Sequence, residues 1–329
     1  MLVTGILLTY NDEKFAFRAL SSVLAQDYDR FEILVSDDAS SDKTFQILRE
    51  AIDAYSGPHE VRLVRQERNT GSKSAHLNSV MCETEGEVIV FFDGDDVSDP
   101  TRVRKLVEKF SNPIFQAVYS DYRLIDEAGQ AIGGGGVAHP PTEVNTKTWF
   151  ASVSAYASGG TLAIRRAVLG FGALDPRINE DVVLPFRASL MGEVGYIDEV
   201  LVCARRHQST TQNYADFSDL ASYRKRHRLG VERADIKRLS RSADIAKAQQ
   251  LQPDRFDELE RLHNVVQRSV ADAYTSEDLV HESLPRRLRA LVSLRRSVIY
   301  RDSFFRDLFL ALTPNTYLRY KRFRLRGLR

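Results

Sequence analysis

The stretch Val88-Ile89-Val90-Phe91-Phe92-Asp93-Gly94-Asp95-Asp96 decides the fold. Five apolar residues, mostly β-branched or aromatic, without polar alternation, read as a strand covered on both faces, as in a parallel α/β sheet. Ligands of such sheets bind beyond the carboxyl ends of the strands, which is where Asp93, Asp95 and Asp96 fall. Two like charges about 4 Å apart repel by roughly 4 kcal/mol at an effective dielectric near 20, so three carboxylates in four residues call for a compensating cation. Oxygen ligands favour Mg²⁺ or Mn²⁺, which share their coordination with substrate phosphates.

Outward from this strand, toward the N-terminus, strand and helix patterns alternate: Leu2–Thr9, a helix about Glu13–Ala25, Phe31–Ser36, a helix about Lys43–Tyr55, Val61–Arg65, a helix about Ser74–Glu83, then Glu87–Phe92. Repeated βαβ units predict a mostly parallel, Rossmann-like sheet with flanking helices. On the other side, Asp99-Pro100 supplies an N-cap and a first-turn proline for a helix over Thr101–Phe110. Beyond residue 115 we expect a strand over Ala117–Ile125, a turn at Glu127-Ala128-Gly129, a loop at Gly133–Gly136 and Pro140-Pro141, and a helix over Glu143–Ser152. A strand over Thr161–Arg165, a helix over Val182–Met191 with Pro185 near its first turn, and strands over Val194–Ile197 and Val200–Ala204 follow. Past residue 214 the β pattern stops, and Phe256, Leu259, Leu262, Val265 and Val266 recur at helical spacing. The expected organisation is a catalytic domain over 1–212 and a helical, basic region over 213–329.

A chain of 329 residues with 43% hydrophobic and 28% charged residues is of globular composition. Cys82 and Cys203 are too few for a disulfide framework and are expected to be small core residues. With no basic leader and no run of eighteen apolar residues, the expectation is a cytoplasmic, non-spanning protein. The segment 283–329 carries thirteen Lys or Arg against only Asp302 and Asp307, in a chain whose formal charge is +1. Its basic residues beside Phe304-Phe305 and Leu308–Leu312 suggest peripheral binding at the inner face of a cell membrane. A docking helix for a partner or a second copy of the chain ranks next. Nucleic acid ranks last, because aromatics at base-reading spacing are missing.

Other strand ends share the acidic rim. Thr9-Tyr10-Asn11 ends the first strand and Ser36-Asp37-Asp38 the second, offering an aromatic for a base and a carboxylate for a base N–H or ribose hydroxyl, or else packing and helix capping. Here the chain resembles the family 2 glycosyltransferases of the GT-A fold. The likeness rests on Thr9-Tyr10-Asn11, Ser22–Tyr28 leading into Phe31–Thr44, Asn69-Thr70-Gly71 with Asn78, Asp93-Gly94-Asp95-Asp96, Gly159-Gly160-Thr161 and Glu180-Asp181 with Phe186-Arg187. It covers about residues 1–210, and the Gly71-to-Asn78 spacing is one residue longer than the commonest form. The resemblance implies inverting transfer of a sugar from a nucleoside diphosphate sugar, UDP-linked by default, to a hydroxyl of a glycan or lipid-linked acceptor in cell-surface polysaccharide synthesis. It implies Asp96 as direct ligand of Mg²⁺ or Mn²⁺, Asp95 and Asp93 on the ribose or a metal-bound water, and Asp181 as the base that Glu180 orients. It also implies donor contacts from Thr9, Tyr10, Asn11, Asp38, Asn69, Gly71 and Asn78, with Arg205 or Arg206 on the diphosphate and His207 completing the metal shell. Lys73 and His76 are secondary candidates for phosphate contact.

Two rival functions use the same residues. Val90–Val97 also fits the strand-DxDx(T/V) pattern of haloacid-dehalogenase-type phosphohydrolases, with Asp93 as nucleophile and Asp95 as acid, but that motif ordinarily ends the first strand of its domain. A non-catalytic nucleotide-sugar-binding scaffold is the other. An EF-hand is excluded because its sixth and twelfth positions would be Ser98 and Arg104.

Overall fold

The structure is a computed structural model and describes residues 1–133, 159–207, 236–237, 239–264 and 266. The expected loop at 134–141, the helix over 143–152 and the basic segment 283–329 lie outside the described residues. The chain divides into two compact units, Met1–Thr211 and Gln212–Arg329.

The first unit runs β1 (Val3–Thr9), α1 (Ala16–Leu24), β2 (Phe31–Asp37), α2 (Thr44–Asp53), β3 (Glu60–Arg65), α3 (Lys73–Val80), β4 (Val88–Asp93), β5 (Val97–Ser98), α4 (Arg102–Phe110), β6 (Phe115–Ile125), β7 (Leu162–Arg165), α5 (Glu180–Met191) and β8 (Glu193–Arg205). These strands form an eight-stranded sheet in the order β3-β2-β1-β4-β7-β6-β8-β5. Pairing is parallel from β3 through β4 and between β6 and β8, and antiparallel at β4–β7, β7–β6 and β8–β5. All seven β1 residues and the five apolar residues of β4 are buried, as a strand covered on both faces requires, whereas edge strand β3 has no buried residue. Helix α1 turns Ala16, Ala19, Leu20 and Val23 inward, and they join Leu7, Val35, Phe92, Leu106 and Phe110 in one core. Gln26 ties α1 to α4: its amide donates to the carbonyls of Ser22 and Asp99 (2.9 and 2.8 Å), and its oxygen accepts from the N–H of Val103 (3.0 Å). That N–H is one of the donors a helix start leaves without an intrahelical partner.

Several expectations are corrected. Residues 194–204 form one strand rather than two; β8 passes through the exposed Asp198, Glu199 and Val200 and carries the extra residues of a bulge, which shifts its register against β6 on either side of Asp121. Helix α5 opens at Glu180, so Pro185 lies inside it and offers no N–H to the carbonyl of Asp181. Helix α4 starts at Arg102; Asp99 Oδ1 instead accepts from the N–H and hydroxyl of Thr101 (2.9 and 2.6 Å). Cys82 is exposed, because on the 3₁₀ turn Met81–Glu83 it is Met81 that faces the core.

In the second unit, helices span 239–251 and 256–264, joined by a 3₁₀ turn at Pro253–Arg255. Ile245, Ala248, Leu259 and Val266 are buried, while Phe256 is exposed at the start of its helix. Among the described residues no helix is long and apolar enough to cross a membrane.

Candidate functional site

The carboxyl ends of β1, β2 and β4 carry the nucleotide-side candidates. Asn11 and Ala39, just past the first two, both have positive φ (54° and 59°), an uncommon conformation outside glycine. Asn11 repays it locally: its N–H donates to Ser40 Oγ (2.9 Å), and its Oδ1 accepts from the N–H of Ser41 (2.9 Å). Thr9 is buried, with its hydroxyl on the Ser36 carbonyl (3.3 Å), whereas Tyr10 is 48% exposed beside it. The Asp38 carboxylate is buried and accepts from the N–H and hydroxyl of Thr70 (3.0 and 2.9 Å) and from Asn69 Nδ2 (3.2 Å). Asn69 Oδ1 in turn accepts from the N–H of Gly71 (2.9 Å), whose φ is +86°. Asp38 therefore organises the 69–71 loop.

Two further candidates make hydrogen bonds within the fold. The amide of Asn78 donates to the Leu174 carbonyl and accepts from the Leu174 N–H, both at 2.8 Å, so both its ends are spent joining segments 96 residues apart. His76 is buried with Nε2 2.7 Å from Ser36 Oγ, and burial lowers its pKa.

The acidic turn after β4 meets the start of α5 through Lys73. The ammonium of Lys73 lies 2.5 Å from Asp93 Oδ1 and 2.8 Å from Glu180 Oε1. Burial pushes its pKa down, but the charges and hydrogen bonds of Asp93 and Glu180 outweigh this and hold it well above the usual lysine value. Glu180 is buried and Asp181 half-buried in the first turn of α5, where the helix dipole favours anions. Gly159 and Gly160 pack over this junction. A Cβ on Gly160 would sit 2.9 Å from Asp96 Oδ2 and 3.0 Å from Asp93 Oδ2, and one on Gly159 would sit 2.1 Å from Glu180 Oε1. No residue with a side chain fits there without moving the carboxylates.

The end of β8 closes the other side. His207 Nε2 is 2.9 Å from Asp95 Oδ2, and its ring packs on Phe15 with centroids 4.9 Å apart. The N–H of Arg205 donates to Asp96 Oδ1 (2.8 Å), and the Arg205 guanidinium faces inward onto main-chain carbonyls. Burial, then the charges of neighbouring aspartates, raises the carboxyl pKa of Asp95 and, further, that of Asp96. Among the described residues no three His, Cys, Asp or Glu side chains are gathered as a ready-made metal cage. The donors present nonetheless fit Mg²⁺ or Mn²⁺. Asp96 and Asp93 oxygens border one gap that only glycine leaves open, and such ions need one or two protein carboxylates when substrate oxygens and waters supply the rest.

Asp12 follows Asn11 at the same strand end, with no role assigned to it from sequence. Its Oδ2 accepts from the Tyr10 N–H (3.0 Å), yet burial, helped by the charges of Asp95, Asp93 and Asp42, pushes its pKa up to about 7. A carboxyl whose folded pKa exceeds its unfolded value binds extra protons in the native state, so its contribution falls as pH rises between the two. Urea midpoints of the metal-free protein should therefore fall from about pH 4 to about pH 7 more steeply in wild type than in Asp12→Asn, and parallel curves would refute this.

The sequence profile of Glycosyl transferase family 2 matches residues 5–170. An uncharacterized glycosyltransferase of Nostoc sp., alr2836, is 28% identical over 216 residues, 63% of this chain and 65% of that protein. The Staphylococcus aureus poly(ribitol-phosphate) β-N-acetylglucosaminyltransferase TarS is 31% identical over 139 residues, 42% of this chain and 22% of TarS. The chain thus spans less than two thirds of the length of these relatives. In fold, a crystal structure of TarS 1-349 with UDP-GlcNAc matches at TM-score 0.55 and 17% identity, covering 92% of this chain and 88% of that one. A Pyrobaculum calidifontis mannosyltransferase with GDP-Man and Mn²⁺ matches at TM-score 0.50 and 18% identity, covering 95% and 87%.

Proposed function

The chain belongs to glycosyl transferase family 2, with the GT-A fold, and from that premise we propose that it transfers a sugar from a nucleoside diphosphate sugar, UDP-linked by default, to a hydroxyl of a glycan or lipid-linked acceptor in cell-surface polysaccharide synthesis. The observation that carries the reading is Lys73 bridging Asp93 of the acidic turn to Glu180 of α5, which joins donor-side and acceptor-side carboxylates in one place. The polymer named for TarS and the UDP-GlcNAc in its crystal structure support the acceptor class and the nucleotide.

Positioning and charge do most of the work in such a transfer. Exposed Tyr10 offers a face to the base, and the 69–71 loop fixed by Asp38 borders the same rim. Asp96, with Asp95 and His207 beside it, would hold Mg²⁺ or Mn²⁺, which when bound supplies positive charge for the leaving diphosphate. Arg206 adds a further cation for the diphosphate. As the acceptor oxygen bonds to the anomeric carbon, the bond from that carbon to the diphosphate oxygen breaks, its electron pair leaves with the nucleoside diphosphate, and Asp181 takes the hydroxyl proton. Glu180 is spent on Lys73, which favours Asp181 as base and Glu180 as its orienting neighbour. Peripheral membrane association through 283–329 would suit a lipid-linked acceptor and belongs to the same reading.

The test is a thermal-unfolding panel of UDP, GDP, CDP and dTDP with Mn²⁺, Mg²⁺ or EDTA. Stabilisation by UDP with a cation is expected, near 2.7 kcal/mol at about one hundred times the dissociation constant. Stabilisation by Mg²⁺ alone, with no response to any nucleotide, would favour the phosphohydrolase reading instead.

A further inference from the structure

We propose that Arg205 is a positioning residue for the acidic turn and sets its affinity for a divalent cation through the main chain of Asp95 and the carboxylate of Asp96. The inference rests on the reading that this turn holds such a cation.

Arg205 ends β8 and is 3% exposed. Its guanidinium donates from Nε to the Asp95 carbonyl (2.8 Å) and from Nη1 to the carbonyls of Asp126 and Glu127 (2.7 and 3.0 Å). Its own N–H donates to Asp96 Oδ1 (2.8 Å), and the guanidinium stacks 4.8 Å from the ring centroid of Phe15. One residue thus grips the backbone of one aspartate, the side chain of the next, and the turn that follows β6. Phe15 backs both Arg205 and His207, whose imidazole reaches Asp95. A planar fork serves these separate carbonyls at fixed angles, which the single ammonium of lysine cannot do. Neighbours that orient metal-binding carboxylates typically alter metal affinity about 10–100-fold when removed, without touching the ion.

The probe is Mn²⁺ in the presence of saturating UDP, followed by loss of the free Mn²⁺ electron-spin signal, on wild type, Arg205→Lys and Arg205→Met below their unfolding midpoints. We expect at least about tenfold weaker Mn²⁺ binding in both variants, with UDP binding in EDTA unchanged. A folded Arg205→Lys that binds Mn²⁺ within about twofold of wild type overturns the proposal, since a merely structural arginine would lower the midpoint and leave Mn²⁺ affinity alone. Should both arginine variants fail to fold, Phe15→Leu made in a His207→Asn background decides, read against His207→Asn alone because Phe15 also backs His207. Weakened Mn²⁺ binding there supports the positioning role, and unchanged binding overturns it. Wild type that takes up no Mn²⁺ with any nucleotide defeats the cation reading itself, an outcome distinct from equal binding by wild type and variant.

Discussion

Asp181→Asn should lower kcat by about two to four orders of magnitude, the usual contribution of a positioned general base, while UDP binding with Mn²⁺ stays within about twofold. Asparagine keeps the shape of the side chain and removes its capacity to take a proton. The position of Asp181 at the start of α5 makes the experiment sharp, because a carboxylate there has a second use in stabilising the helix dipole. If that use were the whole of its role, Asp181→Asn would cost roughly 0.3–1 kcal/mol of stability and leave turnover intact. Glu180→Gln provides the contrast. It removes one of the two carboxylates on Lys73 and should disturb KM and kcat together, because Lys73 would then be held by Asp93 alone.

The second large effect has two opposite signs. The Asp96 carboxyl has its pKa raised well above the ordinary range by burial and then by Asp95 and Asp93, so keeping it ionised at neutral pH costs the folded, metal-free protein free energy. Asp96→Asn removes that charge, and its amide oxygen can still accept the Arg205 N–H, so the turn keeps its shape. The metal-free variant should therefore unfold at a higher temperature than wild type, while the stabilisation that Mn²⁺ and UDP add together should vanish. Calorimetry with and without both ligands reads the two signs separately. A variant that keeps the wild-type shift with Mn²⁺ and UDP would show that the cation does not depend on Asp96.

The half of the sheet built from β1 to β4 was legible in sequence because short apolar-rich strands, of which β4 is an unbroken run, alternate with amphipathic helices and end in polar residues. That logic singled out Asp93, Asp95, Asp96 and Tyr10 as candidates, whereas the Glu180-Asp181 pair, at the start of α5, was suggested by the family resemblance. Elements whose form depends on distant partners were not legible. Exposed Asp198 and Glu199 interrupt the apolar pattern of β8 and so look like a break between two strands. Asn78 carries the mark of a binding residue, and only the position of Leu174 reveals that its amide joins two segments. Arg102 is charged and belongs to an amphipathic helix, yet it is fully buried, donating to Ser98 Oγ and the Phe91 carbonyl (both 3.0 Å) with its guanidinium over Phe92. Arg205 and Arg206 are adjacent and chemically identical, and only the register of β8 decides which one turns inward.

The place of β7 in the sheet bears on how the chain is made. Ribosomes deliver β4 more than sixty residues before β7, yet in the finished sheet β7 lies between β4 and β6, with Val88, Ile89 and Val90 opposite Arg165, Ile164 and Ala163. Until Leu162 emerges, β4 can pair with β1 on one side while its other edge stays open. That edge is an apolar run, Val88–Phe92, without charge or proline, the kind of segment that pairs readily with other chains. A shortened protein ending between Ile125 and Leu162 would keep the acidic turn and the nucleotide rim and still be prone to aggregate. The short strand that completes the sheet thus also protects the nascent chain, and a soluble minimal fragment has to extend through Arg165.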